Sequence, residues 1–212
     1  MTDVKDRLDL WTGEFGDEYH RRNEVTERSI EARADWLVDV LESIDDEDRP
    51  LPESFLEIGC GRGANLAALA AIAGEGGFDW NLYGIEPNLK ARVLAAEYAP
   101  VAAPLPVDEI YKWPSHFDLV FTCGLLIHIP PAGLPEMLDQ ILGASKRYIL
   151  MAEYFAPGEE EVPYRGQHGA LWRRDYGNLL MERGNVKHIA HGFLWKPIDG
   201  LDNLVWWLFE KK

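Results

Sequence analysis

The sequence predicts an α/β protein built on a doubly wound, mostly parallel sheet. Three features support this prediction. An apolar run at residues 55–63 ends in a glycine-rich turn, strand-like runs alternate with helix-like runs up to residue 152, and two final strand-like runs have only turn signals between them. Strands that alternate with helices form parallel sheets covered on both faces. A pair of strands without an intervening helix forms an antiparallel hairpin.

The N-terminal residues 1–50 are predicted to form a helical cap. Their apolar positions have the spacing of one helix face, namely Ile30, Ala34, Leu37, Val38 and Leu41. The acidic, proline-containing stretch at residues 45–52 should end the helix and lead into the sheet.

The sheet is predicted to begin just beyond this stretch. Its five parallel strands are expected at residues 54–58, 81–85, 101–103, 119–122 and 147–152. Helices are expected between them at residues 65–73, 89–98 and 134–142. Residues 186–195 and 203–209 should form the C-terminal hairpin, joined by turn residues without a helix, and they raise the predicted number of strands to seven.

Size and charge limit the number of domains and the kinds of partner that this chain is expected to have. A chain of 212 residues with 47% hydrophobic residues can bury one sizeable core, so we expect residues 1–212 to be one domain, with residues 1–50 covering a pocket on the sheet core of residues 51–212. A net charge of -15 repels phosphate backbones and anionic lipid surfaces, so neither nucleic acid nor membrane is an expected partner. The basic pairs at residues 146–147 and 173–174 are interpreted as solvated surface, with a small-anion site as the alternative.

The cysteines and the N-terminus indicate the compartment. Cys60 and Cys123 imply neither a disulfide framework nor a metal site. The polar N-terminus lacks the apolar core of a signal peptide, and no stretch approaches the roughly 20 apolar residues of a membrane span. The expectation is a soluble, cytoplasmic protein.

The strongest functional signal is the glycine-rich turn that follows the first predicted strand. Gly59, Gly61 and Gly63 allow the backbone to turn sharply and to approach a ligand, and the following helix directs its free N–H groups there. This arrangement predicts a pocket for a nucleotide-like cofactor. The same residues also fit the G-x-G-x-x-G/A pattern of dinucleotide-binding folds, and Glu86 after the second strand suits a ribose in either case.

Two features favour S-adenosylmethionine over a dinucleotide. Glu57 precedes the glycine turn by two residues, and the strand at residues 117–123 runs into Gly-Leu-Leu-Ile-His-Ile at residues 124–129. On these residues the chain resembles the class I S-adenosylmethionine-dependent methyltransferases. The resemblance implies a Rossmann-like sheet of seven strands, S-adenosyl-L-methionine as cofactor and S-adenosyl-L-homocysteine as product. A nicotinamide enzyme would normally need a further catalytic domain, for which no residues remain.

Ligands of an open parallel sheet bind beyond the carboxyl ends of its strands, where all the candidate residues fall. Glu57 is expected to bind the amino group of the cofactor, or else to support the loop. Glu86 is expected to accept both ribose hydroxyls through its two carboxylate oxygens, or else to cap a helix. Cys123 and Gly124 should form the floor beneath the sulfonium, or else simply end a strand. Leu105 is expected to pack on the adenine ring, where many relatives carry an acid.

Further segments of the sequence indicate a resemblance to one family within this class of methyltransferases. Residues 11–23, 145–155, 164–166 and 206–211 look like the methylases associated with pseudaminic acid biosynthesis, a bacterial nonulosonic sugar pathway. By that resemblance Tyr19 reaches the methionine part of the cofactor and Arg22 binds its carboxylate, the alternatives being cap packing and a surface ion pair. The predicted cofactor-binding residues are therefore Tyr19, Arg22, Glu57, Gly59, Cys60, Gly61, Gly63, Glu86, Pro87, Leu105, Cys123 and Gly124.

Methyl transfer from a sulfonium is an in-line displacement that requires alignment of donor and acceptor, and removal of a proton where the nucleophile is a hydroxyl or ammonium group. His128 is the first candidate for the general base, and a structural role is its alternative. Glu153, Tyr154 and His168 are second choices, and an exposed loop histidine is the alternative for His168. Arg165, flanked by Tyr164 and near His168, is the candidate for binding a phosphate or carboxylate of the acceptor. Its alternative partner is Glu153.

The leading hypothesis is thus an enzyme that methylates oxygen or nitrogen of a small polar, anionic metabolite such as a sugar or sugar nucleotide, acting as a monomer or homodimer. A natural-product or phosphonate methyltransferase is the alternative within the fold. A non-catalytic S-adenosylmethionine-binding module and a nicotinamide oxidoreductase are the alternatives from other classes.

Overall fold

The computed structural model describes residues 4–44, 49–103 and 116–212. Three helices lead the chain: α1 Val4–Thr12, α2 Glu14–Arg22 and α3 Glu27–Glu42. A capping box starts α3, because the Thr26 side chain accepts from the Ser29 N–H while the Ser29 hydroxyl accepts from the Thr26 N–H.

The core-facing side of α3 differs by one position from the prediction. Leu37 and Leu41 are buried as expected, together with Trp36 and Val40, whereas Val38 is 37% exposed. Consecutive residues of a helix point about 100° apart, so the face that carries Leu37, Val40 and Leu41 leaves Val38 at its side.

Strands and helices then alternate as predicted. Their bounds are β1 Ser54–Ile58, α4 Ala64–Gly76, β2 Asn81–Ile85, α5 Leu89–Ala95, β3 Val101–Ala102, β4 Phe117–Cys123, a 3-10 turn Leu126–His128, α6 Leu134–Ala144 and β5 Ser145–Glu153. The remaining elements are β6 Glu160–Glu161, β7 Trp172–Arg173, α7 Tyr176–Met181, β8 Val186–Leu194, α8 Lys196–Asp199 and β9 Leu204–Lys211. None of the helices in the described residues has the length and hydropathy needed to cross a bilayer.

The main sheet has seven strands in the order β3-β2-β1-β4-β5-β9-β8. The first five are parallel, whereas β9 runs antiparallel to both β5 and β8. The predicted Rossmann-like, doubly wound sheet with a C-terminal antiparallel hairpin is therefore confirmed. The strand order reverses between β1 and β4, which is the point where ligands bind in such sheets.

Apolar side chains fill both faces of this sheet. Phe55 of β1 belongs to the cluster that includes residues of α3 and α4, whereas the next residue, Leu56, belongs to the cluster with α6 and α7. Such alternation explains why consecutive residues of β1 are buried, since a parallel strand is covered on both sides.

The C-terminal third contains elements that were not predicted, namely β6, β7, α7 and α8, and a buried arginine that was expected at the surface. The connection between β8 and β9 contains the four-residue helix α8 instead of turns alone, with Pro197 in its first turn and Gly200 at φ 72° as its C-cap. Arg174 is 2% exposed and not solvated surface. Its Nε donates to Glu159 Oε2 at 2.8 Å, and its guanidinium lies over the rings of Trp172 and Tyr176.

Candidate functional site

A cavity of about 300 Å³ lies at the carboxyl ends of β1, β2 and β4 and is covered by α1 and α2. Most predicted cofactor-binding residues line it, namely Tyr19, Glu57, Gly59, Cys60, Gly61, Glu86, Pro87, Cys123 and Gly124. The predicted catalytic residue His128 lines it as well. The cavity also has lining residues that sequence reasoning missed, among them Trp11, His20, Arg33, Arg62 and Asn65.

The glycine turn joins β1 to the ends of two neighbouring strands. Gly59 has φ 77°, and its N–H donates to Ile85 O at 2.8 Å. A Cβ at this position would lie 2.7 Å from a side-chain atom of Leu125, so glycine allows the segment after β4 to approach. Gly63 does not line the cavity, because it faces α5, where a Cβ would lie 3.0 Å from Ala95.

Glu86 lies at the end of β2 and is bound from two sides. Its Oε2 accepts from the Gly61 N–H at 2.8 Å, and its Oε1 accepts from the Asn88 N–H at 2.7 Å. Each carboxylate oxygen can accept more than one hydrogen bond, so both oxygens keep capacity for a ligand. The carboxylate is thus oriented by the backbone while it lines the cavity.

Glu57 carries a buried oxygen without a partner. The Asn65 side chain donates to Glu57 Oε1 at 2.6 Å, whereas Glu57 Oε2 and Asn65 Oδ1 find no hydrogen-bond partner within the described part of the chain. Burial raises the pKa of Glu57 to about 8. Because an unsatisfied buried acceptor is costly, two such oxygens at one cavity wall indicate that a ligand donates there.

The cavity contains a different arginine from the predicted one. Arg22 does not line it, and its Nη1 lies 3.6 Å from Glu18 Oε2 on the same helix. Arg33 of α3 lines the cavity instead, donates through Nη1 to Ser29 O at 2.9 Å, and has a buried Nε that no described residue contacts as a hydrogen-bond partner. Its guanidinium is the candidate for binding an anionic group of a ligand.

The floor of the cavity is formed by the end of β4. Gly124 has φ 67°, and a Cβ there would meet no heavy atom of the described residues within 4 Å, so open space lies above its backbone. Burial raises the pKa of the neighbouring Cys123 thiol to about 12 and also raises that of Cys60, which keeps both groups neutral. This floor therefore presents small, uncharged groups.

His128 is held in one orientation. Its Nδ1 lies 2.7 Å from Ala170 O, and since a carbonyl only accepts, Nδ1 carries the proton and Nε2 keeps its lone pair. Its ring packs against Trp11, with centroids 4.3 Å apart, and against Tyr164 at 5.6 Å. Burial lowers the pKa of His128 to about 4, so the imidazole is neutral near pH 7.

The second-choice catalytic residues do not line the cavity. Glu153 is fully buried, and its carboxylate accepts from the Thr122 hydroxyl at 2.9 Å and from the backbone N–H groups of residues 125–127 at 3.1 to 3.3 Å. It therefore fixes the turn after β4 and is not paired with Arg165. The Tyr154 hydroxyl donates to Asp202 Oδ2 at 3.1 Å, which directs it toward the β8–β9 connection.

The predicted acceptor-binding residues lie on a loop beside the cavity. Tyr164 does not line the cavity but packs against the ring of His128, which does. Arg165 is exposed, has φ 49° and places its guanidinium 5.8 Å from the Tyr164 ring centroid. The His168 side chain is 85% exposed beside Glu161. Leu105 lies outside the described residues, so its predicted adenine contact stays a prediction.

Comparison with known proteins identifies structures of similar fold. No protein-family model matches the sequence, and the curated proteins give no significant sequence match. The 1,6-didemethyltoxoflavin-N1-methyltransferase of Burkholderia thailandensis, solved with S-adenosylhomocysteine and its acceptor, has a TM-score of 0.69 and 16% identity over 100% of this chain and 92% of its own. The magnesium protoporphyrin IX methyltransferase of Synechocystis with bound S-adenosylhomocysteine has a TM-score of 0.67 and 13% identity, covering 99% and 100%.

A third similar structure comes from Thermotoga maritima. This S-adenosylmethionine-dependent methyltransferase, described as a possible histamine N-methyltransferase, has a TM-score of 0.60 and 15% identity over 97% of this chain and 100% of its own. At sequence identities this low, the structural similarity shows the fold alone. The fold of this chain is one that methyltransferases of known structure share.

Proposed function

We propose that this protein is an S-adenosylmethionine-dependent methyltransferase that acts on oxygen or nitrogen of a small molecule. The observation that carries the proposal is the pair of acids at the switch point of the sheet. Glu86 is oriented by two backbone N–H groups, and Glu57 presents a buried oxygen that lacks a donor. One acid suits a vicinal diol and the other an ammonium group, which are the polar ends that this cofactor offers.

The residues present fit the cofactor at each of its polar groups. Glu86 would accept from the ribose hydroxyls, and Glu57 with Asn65 Oδ1 would accept from the amino group. Arg33, which lines the cavity, would bind the carboxylate that sequence reasoning assigned to Arg22. Cys123 and Gly124 would lie beneath the sulfur, because they form the small and uncharged floor.

The bound cofactor supplies an electrophilic methyl group on a sulfonium. The chain's own contribution is to hold the donor in place, to exclude water with Trp11 and Tyr19, and to remove a proton from the nucleophile. His128 Nε2 is the atom proposed to accept this proton, since Nδ1 is already committed to Ala170 O. Glu153 supports this arrangement through the turn that carries His128.

The class of acceptor is proposed separately. The sequence resemblance suggests an anionic sugar or sugar nucleotide, and Arg165, exposed on the loop that carries Tyr164, is the residue proposed to bind its acidic group. A natural product or phosphonate with an acidic group would be held in the same way. Turnover assays with anionic sugars and with acidic natural products or phosphonates distinguish these acceptors. Arg165→Ala should lose turnover of the preferred acceptor while its affinity for S-adenosylhomocysteine stays unchanged, which would support the assignment.

Thermal unfolding with S-adenosylhomocysteine and with NAD tests the cofactor. A ligand that binds only the native state stabilises it by about 2.7 kcal/mol at 100 times its Kd. We expect S-adenosylhomocysteine to raise the Tm, NAD to leave it unchanged, and Glu86→Ala to abolish the rise. Glu97→Ala, an exposed acid on the segment after α5, is the matched control and should retain it. Stabilisation by NAD alone would refute the proposal, and binding without turnover of any acceptor would favour the non-catalytic module.

A further inference from the structure

His20 lies inside the cavity and has no role in the scheme above. It is 7% exposed, and its Nε2 is 3.7 Å from Glu86 Oε1. That separation is longer than a direct hydrogen bond, and Nε2 and Oε1 face each other within ion-pair distance. The glycine turn fixes His20 from the other side, since Arg62 Nη1 donates to the His20 carbonyl at 3.0 Å.

His20 Nε2 and Glu86 Oε1 are close enough that one hydroxyl group could bind both of them from the side. An oxygen at an ordinary hydrogen-bond distance of about 2.8 Å from each atom would lie about 2 Å to the side of the line that joins Nε2 and Oε1. Such a hydroxyl would donate to the carboxylate and accept from the imidazole N–H, which satisfies both groups. Gly61 closes the third side, because a Cβ there would lie 3.6 Å from the His20 ring.

We infer that His20 is a second ribose-binding residue, which donates to one hydroxyl of the diol that Glu86 accepts. This inference depends on the proposed function, because it requires a ribose in the cavity. It assigns a ligand contact to α2 in addition to those from the sheet.

The same contact connects the cofactor to the helices that cover it. The segment after β2 already holds α1 and α2, since the Asn88 side chain donates to Trp11 O at 3.2 Å and to Asp17 Oδ1 at 2.9 Å, while Lys90 pairs with Asp17. A ribose bound by both Glu86 and His20 would add one more hydrogen-bonded link between the end of β2 and α2. Cofactor binding therefore stabilises α2 in place, and with it Trp11 and Tyr19 at the cavity wall.

Calorimetric titration with S-adenosylhomocysteine and its 2′-deoxy and 3′-deoxy analogues tests the inference. The analogue that lacks the hydroxyl bound by His20 should bind the unmodified protein more weakly than S-adenosylhomocysteine does. This loss of affinity should be about five- to tenfold larger than the loss that the same analogue shows in His20→Ala, since one net hydrogen bond contributes this much. His20→Gln keeps a donor near the Nε2 position and should retain most of the discrimination. Equal weakening of all three ligands by His20→Ala would mean a merely structural role and would overturn the inference.

A second measurement covers the case in which His20→Ala disturbs α2. Amide hydrogen exchange of residues 14–22 should slow when S-adenosylhomocysteine binds the unmodified protein or His20→Gln, and should slow less with the deoxy analogue that loses the contact. Unchanged exchange with every ligand would contradict the link to α2. Failure of the unmodified protein to bind S-adenosylhomocysteine would instead refute the proposed function itself, so the two failures are distinguishable.

Discussion

Glu57 shows how one residue sets the pH dependence of ligand binding. Burial raises its pKa to about 8 in the unliganded protein, so the acid is largely protonated at pH 6.5. An ammonium group prefers the ionised form, and binding must therefore release a proton below this pKa. We expect the affinity for S-adenosylhomocysteine to rise up to about tenfold per pH unit between pH 6 and 8 and to level off above.

Calorimetry in buffers of different ionisation enthalpy measures that proton release directly. Glu57→Gln keeps the hydrogen bond with Asn65 within reach but cannot ionise, so its weaker affinity should be nearly independent of pH. A flat profile in the unmodified protein would show that Glu57 does not pair with the amino group.

His128 is the residue on which the proton transfer depends. Because burial lowers its pKa to about 4, the imidazole stays neutral and able to accept a proton throughout the neutral range. The acid limb of kcat/KM for the acceptor, measured at saturating cofactor, should lie near pH 4 and not near the ordinary histidine value of about 6.5. His128→Ala should lose roughly 10²–10⁴-fold in turnover while it retains S-adenosylhomocysteine affinity. Unchanged turnover would return His128 to a packing role against Trp11.

Individual site residues were predictable where they follow a strand in the chain. Glu57, Glu86 and Cys123 lie at strand ends, and strand periodicity locates those ends. Arg33 and His20 instead come from helices whose docking depends on contacts remote in sequence, such as Asn88 with Asp17. Asn65 could have been found, because it lies in the first turn of the helix that follows the glycine turn.

At the scale of elements, the α1–α2 corner depends on one glycine. A Cβ on Gly16 would lie 1.8 Å from Trp11 O, so a side chain there must push α2 away from the end of α1. We expect Gly16→Ala to lower stability by about 1–3 kcal/mol and to weaken S-adenosylhomocysteine binding about tenfold, because His20 and Tyr19 share this helix.

Gly143→Ala is the matched control for this substitution. Gly143 lies within α6, where a Cβ would meet no described heavy atom within 4 Å, so alanine should stabilise the helix by up to about 1 kcal/mol without changing ligand affinity. Denaturant unfolding and calorimetry measure both effects. Ligand binding by Gly16→Ala as tight as that of the unmodified protein would show that the corner does not position the cavity wall.

The strands of the main sheet were predicted better than the short elements outside it. The predicted bounds of β1 and β2 agree with the structure residue for residue, since apolar runs bounded by turn residues define them. The two-residue strands β6 and β7 and the single-turn α8 carry too few residues for periodicity to detect. Their positions follow from tertiary contacts, among them the pairing of Glu160 with Arg173.

The whole molecule carries a charge imbalance that should govern its response to salt. With 36 acidic and 21 basic residues, its net charge of -15 produces self-repulsion that destabilises the compact state. Surface ion pairs such as Lys196 with Asp202 offset little of this, because exposed pairs contribute about 0–1 kcal/mol each. Raising the salt concentration shortens the Debye length from about 30 Å at 0.01 M to about 8 Å at 0.15 M and weakens the long-range repulsion most.

We therefore expect the Tm of the unliganded protein to rise by a few degrees between about 10 and 150 mM sodium chloride, since a change of 1 kcal/mol shifts the Tm of a domain of this size by about 2–4 °C. Potassium chloride should give the same rise, because screening depends on ionic strength and not on the identity of the monovalent cation. A Tm that falls with salt would mean that local pairs such as Arg174 with Glu159 outweigh the repulsion of the whole chain.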